Sequence, residues 1–406
     1  MIGLRRARSA SDKRGDRRLR LRVMVGRMIR SRGRERRLPI ASHPSVLDEA
    51  LRARTAPAEL FEETEKGLRC TACAHACVFA RGSQRTGACG VRFQQDGELR
   101  VPFGYVARTY VRPVETNTIY HVAPGTLSLT FGMYGCDLRC PYCHNARLSQ
   151  ALREGTSQEF PEDIGEDALV ERALAAGCRV LCAAYNEPAI AAEWVRTVFE
   201  RAKERGLLTA MITDGNATPE VLRFLRPVTD VYRVDLKGHS EEEYHALGGR
   251  LQPVLSGIRM AKDLGYWVEV VTLVVPAFND DLRGLRSLAT TLASIDPSIP
   301  WHLNAFQPRY RMRDRPATSA GALISAAGVA YAKGLRFVYV GNVDGTTSEL
   351  SNTRCPSCHD VLIARRDWRA IEIATDPSRC SRCGAVIPGL WFASVTEPPR
   401  NPGELT

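Results

Sequence analysis

Between Thr126 and Val340 the chain alternates short apolar runs, rich in β-formers, with longer stretches whose apolar residues recur at helical spacing. The candidate strands are TLSLTF, RVLCAAY, LTAMIT, DVYRVDL, WVEVVTLVV, WHLNAF and RFVYV. The clearest helix between them, AIAAEWVRTVFERAKERG, ends in Gly206, a residue suited to stopping a helix. Strand–helix alternation at these lengths predicts an α/β fold with a parallel sheet wrapped by helices. Either an open doubly wound sheet or a barrel satisfies the pattern.

Polar residues punctuate this pattern at one kind of place. Glu187, Thr213 with Asp214, Asp235 with Lys237, Asn304 with Gln307, and Asn342 all fall at or just after the carboxyl ends of successive strands. Any one of them alone reads as a helix cap or a turn residue. Their recurrence strand after strand predicts a ligand site, because loops converge at that edge of a parallel α/β sheet.

Eleven of the 13 cysteines fall into three tight groups. Cys136, Cys140 and Cys143, in GMYGCDLRCPYCHNA, follow the first strand of the alternating region with C-x3-C-x2-C spacing. Three thiolates this close can hold three irons of a four-iron cubane and leave the fourth iron open to a ligand. The bland alternative is a zinc site that borrows a distant fourth ligand. Cys355, Cys358, Cys380 and Cys383 form two C-x2-C knuckles, which predicts a zinc ribbon closed by four thiolates. Cys70, Cys73, Cys77 and Cys89 supply a complete ligand shell in a less regular spacing. Zinc in a structural role and an auxiliary iron–sulfur cluster both suit that set, and the spacing leans toward zinc. Cys178 and Cys182, in the apolar stretch ALAAGCRVLCAAY, read as packing residues.

Charge adds one qualification. The net charge of the chain is +11, but residues 1–37 carry 15 Arg or Lys against Asp12, Asp16 and Glu35. The rest is close to neutral, so affinity for nucleic acid or acidic lipid is expected of the tail alone. The plain reading of that tail is a disordered extension, with Met24 or Met28 as a candidate start. Neither a secretory leader nor an apolar run of membrane-spanning length is visible, and cysteines grouped as metal sites agree with a cytoplasmic protein. The expected divisions are a basic tail at 1–40, a Cys-rich module at 41–125, a core at 126–345, a zinc-ribbon-like module at 346–396 and a short tail at 397–406.

The stretches CTACAHACVFARGSQRTGACGVR, YHVAPGTLSLTFGMYGCDLRCPYCHN, YNEPAI, VDLKG, EVVTLVVPAFNDD, IPWHLNAFQPRY and VYVGNV, with the final cysteine ribbon, follow one another in a distinctive order. In them the chain resembles the radical S-adenosylmethionine (SAM) proteins of the AmmeMemoRadiSam group, relatives of the pyruvate formate-lyase activating enzyme. The resemblance runs from Leu68 to Trp391. It implies a partial (β/α)6 barrel in which Cys136, Cys140 and Cys143 bind a [4Fe-4S] cluster, with Tyr142 as the aromatic preceding the last ligand. It further implies that SAM chelates the open iron, that Glu187 meets the SAM amino group, and that Thr213, Asp235 and Lys237 line the cofactor, with Asn304 and Gln307 on the same face. An electron donor of flavodoxin or ferredoxin type, oxygen sensitivity, and hydrogen abstraction from a protein partner, a Memo-like protein or a metabolite follow from the same resemblance. Glycyl-radical-enzyme activation is the runner-up. A metal-stapled nucleic-acid-binding protein without catalysis is the reading from a different class.

The chain departs from that group at three places. Thr213-Asp214-Gly215-Asn216 stands where members commonly read TNGY. Gln307 stands in place of a His and Arg309 in place of an Asp. These changes leave the cofactor chemistry better supported than the substrate.

Overall fold

All seven predicted strands form, and they lie side by side in chain order within one eight-stranded sheet. The structure, a computed structural model, describes residues 46–155, 160–343 and 348–391. The sheet opens with β1 (Arg108–Pro113), antiparallel to β2 (Leu127–Gly132). Six further strands then run parallel to β2: β3 (Cys178–Ala183), β4 (Leu208–Thr213), β5 (Val231–Asp235), β6 (Trp267–Val274), β7 (Trp301–Ala305) and β8 (Val338–Gly341). Helices connect them, among them Ala192–Glu204 after β3, Leu251–Asp263 after β5 and Leu282–Ile295 after β6. Right-handed crossovers in strict chain order put every helix on one face and curl the other inward. That order selects the barrel over the doubly wound sheet. The parallel run is one strand longer than a (β/α)6 barrel, because β8 pairs with β7 in register from Trp301–Val338 to Asn304–Gly341.

Side chains alternate along each strand, so every second residue points into the curl. Near the strand starts these are apolar: Val180, Cys182, Ala210 and Val231 pack with Trp267 around Ile119 and Val122. The segment that follows β1 therefore plugs the lower barrel. Burying each such aliphatic side chain contributes about 1.5–3 kcal/mol. Nearer the strand ends the inward residues become polar, and there the site lies.

A buried ionic centre holds the plug. Glu269 on β6, fully buried, accepts from Tyr120 N–H at 2.9 Å, His121 N–H at 2.9 Å, Trp267 Nε1–H at 3.0 Å and His302 Nε2–H at 2.7 Å. His121 in turn bonds Tyr339 Oη at 2.6 Å and the carbonyl of Pro388 at 2.7 Å. His302 is thus committed to a structural carboxylate.

The Cys-rich segment before the barrel folds as two small antiparallel sheets, Phe61–Thr64 with Gly67–Cys70 and Val78–Phe79, and Thr55–Pro57 with Glu98–Pro102 and Phe93–Gln95. Arg92 locks it to the helix Ala192–Glu204 by a buried ion pair with Glu193, whose side chains are 2% and 3% exposed. After β8 comes a hairpin of β9 (Val361–Arg366) and β10 (Arg369–Ile373). Its two-residue turn, Asp367-Trp368, has φ of 49° and 61°, the doubly left-handed geometry that matches the twist of a tight hairpin. Among the described residues no helix is long and apolar enough to cross a membrane. The basic tail, and with it the nucleic-acid expectation, lies outside the described residues.

Candidate active site

The cysteine triplet follows β2 and caps a cavity of about 390 Å³ at the carboxyl edge of the sheet. Cys136, Cys140, Cys143 and Tyr142 line it, as do Glu187, Thr213, Asp214, Asp235, Lys237, Asn304 and Asn342 from the ends of β3, β4, β5, β7 and β8. The volume falls in the usual range for small-molecule sites. Gln307 is half-buried and lies outside this lining.

Short-range geometry places the polar groups. Glu187 precedes a short helical turn at Pro188–Ala191, and its carboxylate accepts from Ala189 N–H at 2.9 Å, Thr213 Oγ1 at 2.8 Å and Asp214 N–H at 2.7 Å. Burial, and then the charge of Asp137, push the Glu187 carboxyl up to about 7 against those three donors. Asp214 is driven up for the same reasons, burial first and then Asp137 and Glu187. On β5 the residues alternate so that Arg233 and Asp235 face inward with Lys237 just beyond. Burial alone would raise the Asp235 carboxyl, but the Arg233 and Lys237 charges hold it below the usual range. Lys237 Nζ lies 3.1 Å from Asp235 Oδ2. Arg233, 7% exposed, keeps its Nε without a partner in the cavity wall. Glu187 and Asp214 thus offer acceptors at one part of the cavity wall, and at another Asp235 stands between the cations Arg233 and Lys237.

The triplet itself sits in an apolar pocket made by Leu138, Leu247, Val275 and Phe306 with Tyr142. Burial raises Cys140 to about 12 and Cys136 well above its ordinary value, so these thiols ionise only with a compensating cation. The three sulfurs are not gathered within 4.8 Å of one another, whereas the four sulfurs of Cys355, Cys358, Cys380 and Cys383 are. A single ion draws its ligands together; a polynuclear cluster holds them apart. Tyr142 Oη is buried without a partner and Ser149 Oγ lies 3.2 Å from Cys143 Sγ. The donor set, its spread and its dry surroundings fit an iron–sulfur cluster.

Of the lining residues not singled out in the sequence, four shape the cavity most clearly. Asn117 forms the floor, held by Nδ2–H bonds to Ser128 Oγ at 2.9 Å and Thr130 Oγ1 at 3.0 Å. Tyr185 enters the left-handed region with φ of 71°, a costly conformation for a bulky residue. Arg233 had a visible signal: it stands two residues before Asp235 in an apolar strand, hence on the same face. Trp368 had none, because only the tertiary fold carries the hairpin turn to the cavity wall. Cys178 and Cys182 are buried within the barrel packing, as their apolar surroundings imply.

Comparison with known proteins agrees with this geometry. The Radical SAM superfamily profile matches residues 131–289, which carry the triplet and the ends of β2 to β6. The chain is 32% identical over 325 residues to the uncharacterized protein MJ0808 of Methanocaldococcus jannaschii, covering 79% of this chain and 95% of that protein. It is 25% identical over 191 residues to the pyruvate formate-lyase-activating enzyme of Streptococcus mutans, covering 44% of this chain and 72% of that enzyme. A domain of the pyruvate-formate lyase-activating enzyme from Bacteroides vulgatus superimposes with a TM-score of 0.35 at 18% identity, over 40% of this chain and 98% of that domain. With a thiol triplet at the mouth of a parallel barrel, and a superfamily profile matched through it, the chain belongs to the radical SAM superfamily of enzymes and is related to the pyruvate formate-lyase activating enzymes.

Proposed function

We propose that the protein is a radical SAM enzyme of the AmmeMemoRadiSam type, which binds a [4Fe-4S] cluster through Cys136, Cys140 and Cys143 and abstracts hydrogen from a partner protein or a metabolite. The observation that carries the reading is convergence: the triplet, Glu187, Thr213, Asp235 and Lys237 border one cavity. When bound, the cluster and SAM supply one-electron cleavage of a sulfonium bond and a species that removes a hydrogen atom. The residues of this chain do the rest. Lys237 offers a point charge to a carboxylate. Glu187 and Asp235 offer acceptors to an ammonium or to ribose hydroxyls. Tyr142, with Leu138, Val275 and Phe306, keeps water from the sulfurs. The C-terminal set reads as zinc, supported by Sγ–Sγ separations of 3.5 Å for Cys355–Cys383 and for Cys358–Cys380. A tetrahedral ion with bonds of about 2.3 Å asks for sulfurs at about that spacing. A flavodoxin- or ferredoxin-type donor completes the reaction.

Similarity to the activating enzymes supports a second reading, in which the partner is a glycyl-radical enzyme. Both readings meet one test. Protein purified without oxygen and reconstituted with iron and sulfide is given SAM and dithionite, beside the C136A/C140A/C143A variant. Formation of 5′-deoxyadenosine and methionine by the wild type alone is expected. No product from protein that holds an intact four-iron cluster overturns both readings, and a glycyl radical raised on a co-expressed partner selects the second.

A further inference from the structure

The geometry points to Cys70, Cys73, Cys77 and Cys89 as the ligands of a second iron–sulfur cluster, one that passes electrons to the triplet site. Cys70, Cys73 and Cys89 are buried and Cys77 is half-buried. Backbone bonds hold the ligand loops together: Cys70 N–H donates to the Cys77 carbonyl at 2.9 Å and Ala76 N–H to the Cys73 carbonyl at 3.0 Å. Yet their sulfurs are not gathered within 4.8 Å, as those of the C-terminal set are. Zinc bonded at about 2.3 Å in a tetrahedron brings four sulfurs to about 3.8 Å of one another. Neither the N-terminal set nor the triplet has three sulfurs within 4.8 Å of one another, which leaves room for a cubane with one iron behind each thiolate. Donors surround it: Ala88 N–H reaches Cys77 Sγ at 3.3 Å and Arg92 Nη1–H reaches Cys70 Sγ at 3.8 Å. Such bonds, and the buried Arg92 cation, lower the charge cost of a reduced cluster.

Position supplies the function. The carbonyl of Cys89 accepts a hydrogen bond from the amide of Cys136 at 3.2 Å, so a ligand of one site bonds directly to a ligand of the other. Arg153 ties the same two loops, donating through Nη2 to the carbonyls of Cys136, at 2.6 Å, and Ala88. His75 Nε2 lies 3.1 Å from the Asp137 carbonyl. Gly135 permits this closeness: with φ of 88°, a Cβ there would lie 2.7 Å from Val91 Cγ1 and 2.8 Å from the Cys89 carbonyl oxygen. A staple remote from the chemistry would need none of these bonds. In the relay, an external one-electron donor protein is oxidised by one electron and the N-terminal cluster is reduced. That cluster then returns to its oxidised state as the triplet cluster gains the electron. No proton or atom moves.

The inference rests on the radical SAM reading for its electron acceptor, but its metal content is tested separately. Anaerobically reconstituted full-length C136A/C140A/C143A is assayed for iron, sulfide and zinc and by electron paramagnetic resonance after reduction. About four irons and an iron–sulfur signal are expected to remain. Zinc at the N-terminal set, with no iron–sulfur signal, overturns the inference. The C73A/C77A variant is expected to keep SAM cleavage with dithionite but to lose roughly tenfold or more with reduced flavodoxin. Equal flavodoxin-driven rates in C73A/C77A and wild type overturn the relay. If C73A/C77A fails to fold, C77S under the same two reductants makes the comparison. A wild type that cleaves no SAM, beside a triple variant that retains its cluster, fails the catalytic reading and leaves the second cluster standing.

Discussion

Replacing Glu269 tests whether one buried carboxylate fastens the barrel plug. Its oxygens receive four donors, and none of them has another acceptor in view: two backbone amides, an indole and an imidazole. Glu269→Leu leaves all four stranded, since a His302 proton moved to Nδ1 finds no partner there either. A stranded buried donor costs about 1–3 kcal/mol. Removing a buried charge and adding an apolar side chain returns about 2–3 kcal/mol of the total. The net loss is then about 1–10 kcal/mol. Glu269→Gln keeps one acceptor oxygen for His121 N–H, the Trp267 indole and, at 3.2 Å, Tyr120 N–H, turns its amide toward His302 Nε2, and strands only the imidazole proton then held on Nδ1. That variant should lose about 1–3 kcal/mol. Urea unfolding followed by tryptophan fluorescence, on proteins matched for metal content, measures both. Equal midpoints for wild type and both variants, or a Gln variant weaker than the Leu variant, would refute the reasoning.

Other expectations follow from single observations. Arg92→Met leaves the Glu193 carboxylate buried without its cation and should cost about 3–5 kcal/mol in the same unfolding assay; a change below about 0.5 kcal/mol contradicts the pair. Burial lowers the His121 imidazole from its ordinary value to about 4, against the raising charge of Glu269. The folded chain therefore takes this proton at lower pH than the unfolded chain, and its stabilising contribution, full above the unfolded value, is lost as pH falls toward 4. Relative to His121→Gln, wild-type stability should shrink between pH 6.5 and 4 by an amount on the order of 3 kcal/mol, whereas a constant difference sinks the assignment. Lys237→Met should weaken SAM binding to the reconstituted protein by roughly 30-fold or more in equilibrium dialysis, as loss of a buried charge partner costs about 2–5 kcal/mol; unchanged affinity removes Lys237 from the cofactor site.

The barrel was legible because its signals are local. Each strand from TLSLTF to RFVYV is an apolar run bounded by turns, and the residues at the strand ends inherit their position from the strand itself. Glu187, Thr213, Asp235, Lys237 and Asn304 reach the cavity for that reason. Gln307, in the loop after β7, lies outside the lining. The closure of the site was not legible. Nothing in the pattern of residues 114–123 says that Ile119 and Val122 fill the barrel, because the partners that bury them stand on four different strands. The hairpin turn is a similar case: Trp368 looks like any surface aromatic until β10 and β8 are placed together.

The parts that the pattern missed share one physical task. A curled sheet of parallel strands with unpaired edges leaves both a floor and a flank open, and chemistry that makes a hydrogen-abstracting species needs both shut. Here the chain shuts them with its own segments. The plug supplies Asn117 to the floor, and Glu269 fixes the plug through Tyr120 and His121. The C-terminal hairpin supplies Trp368 to the wall, beside Gly341, where a Cβ would come within 2.7 Å of Asn304 Oδ1 and 3.0 Å of the indole. Arg365 on β9 joins the two closures, donating to the Tyr120 carbonyl at 2.7 Å and stacking its guanidinium 4.1 Å from the Tyr120 ring. The four-cysteine group packed beside this hairpin therefore reaches the cavity through one chain of contacts, Arg365 to Tyr120 to Glu269. A cysteine group remote from the triplet in sequence is, in the folded chain, joined to what holds the cavity closed.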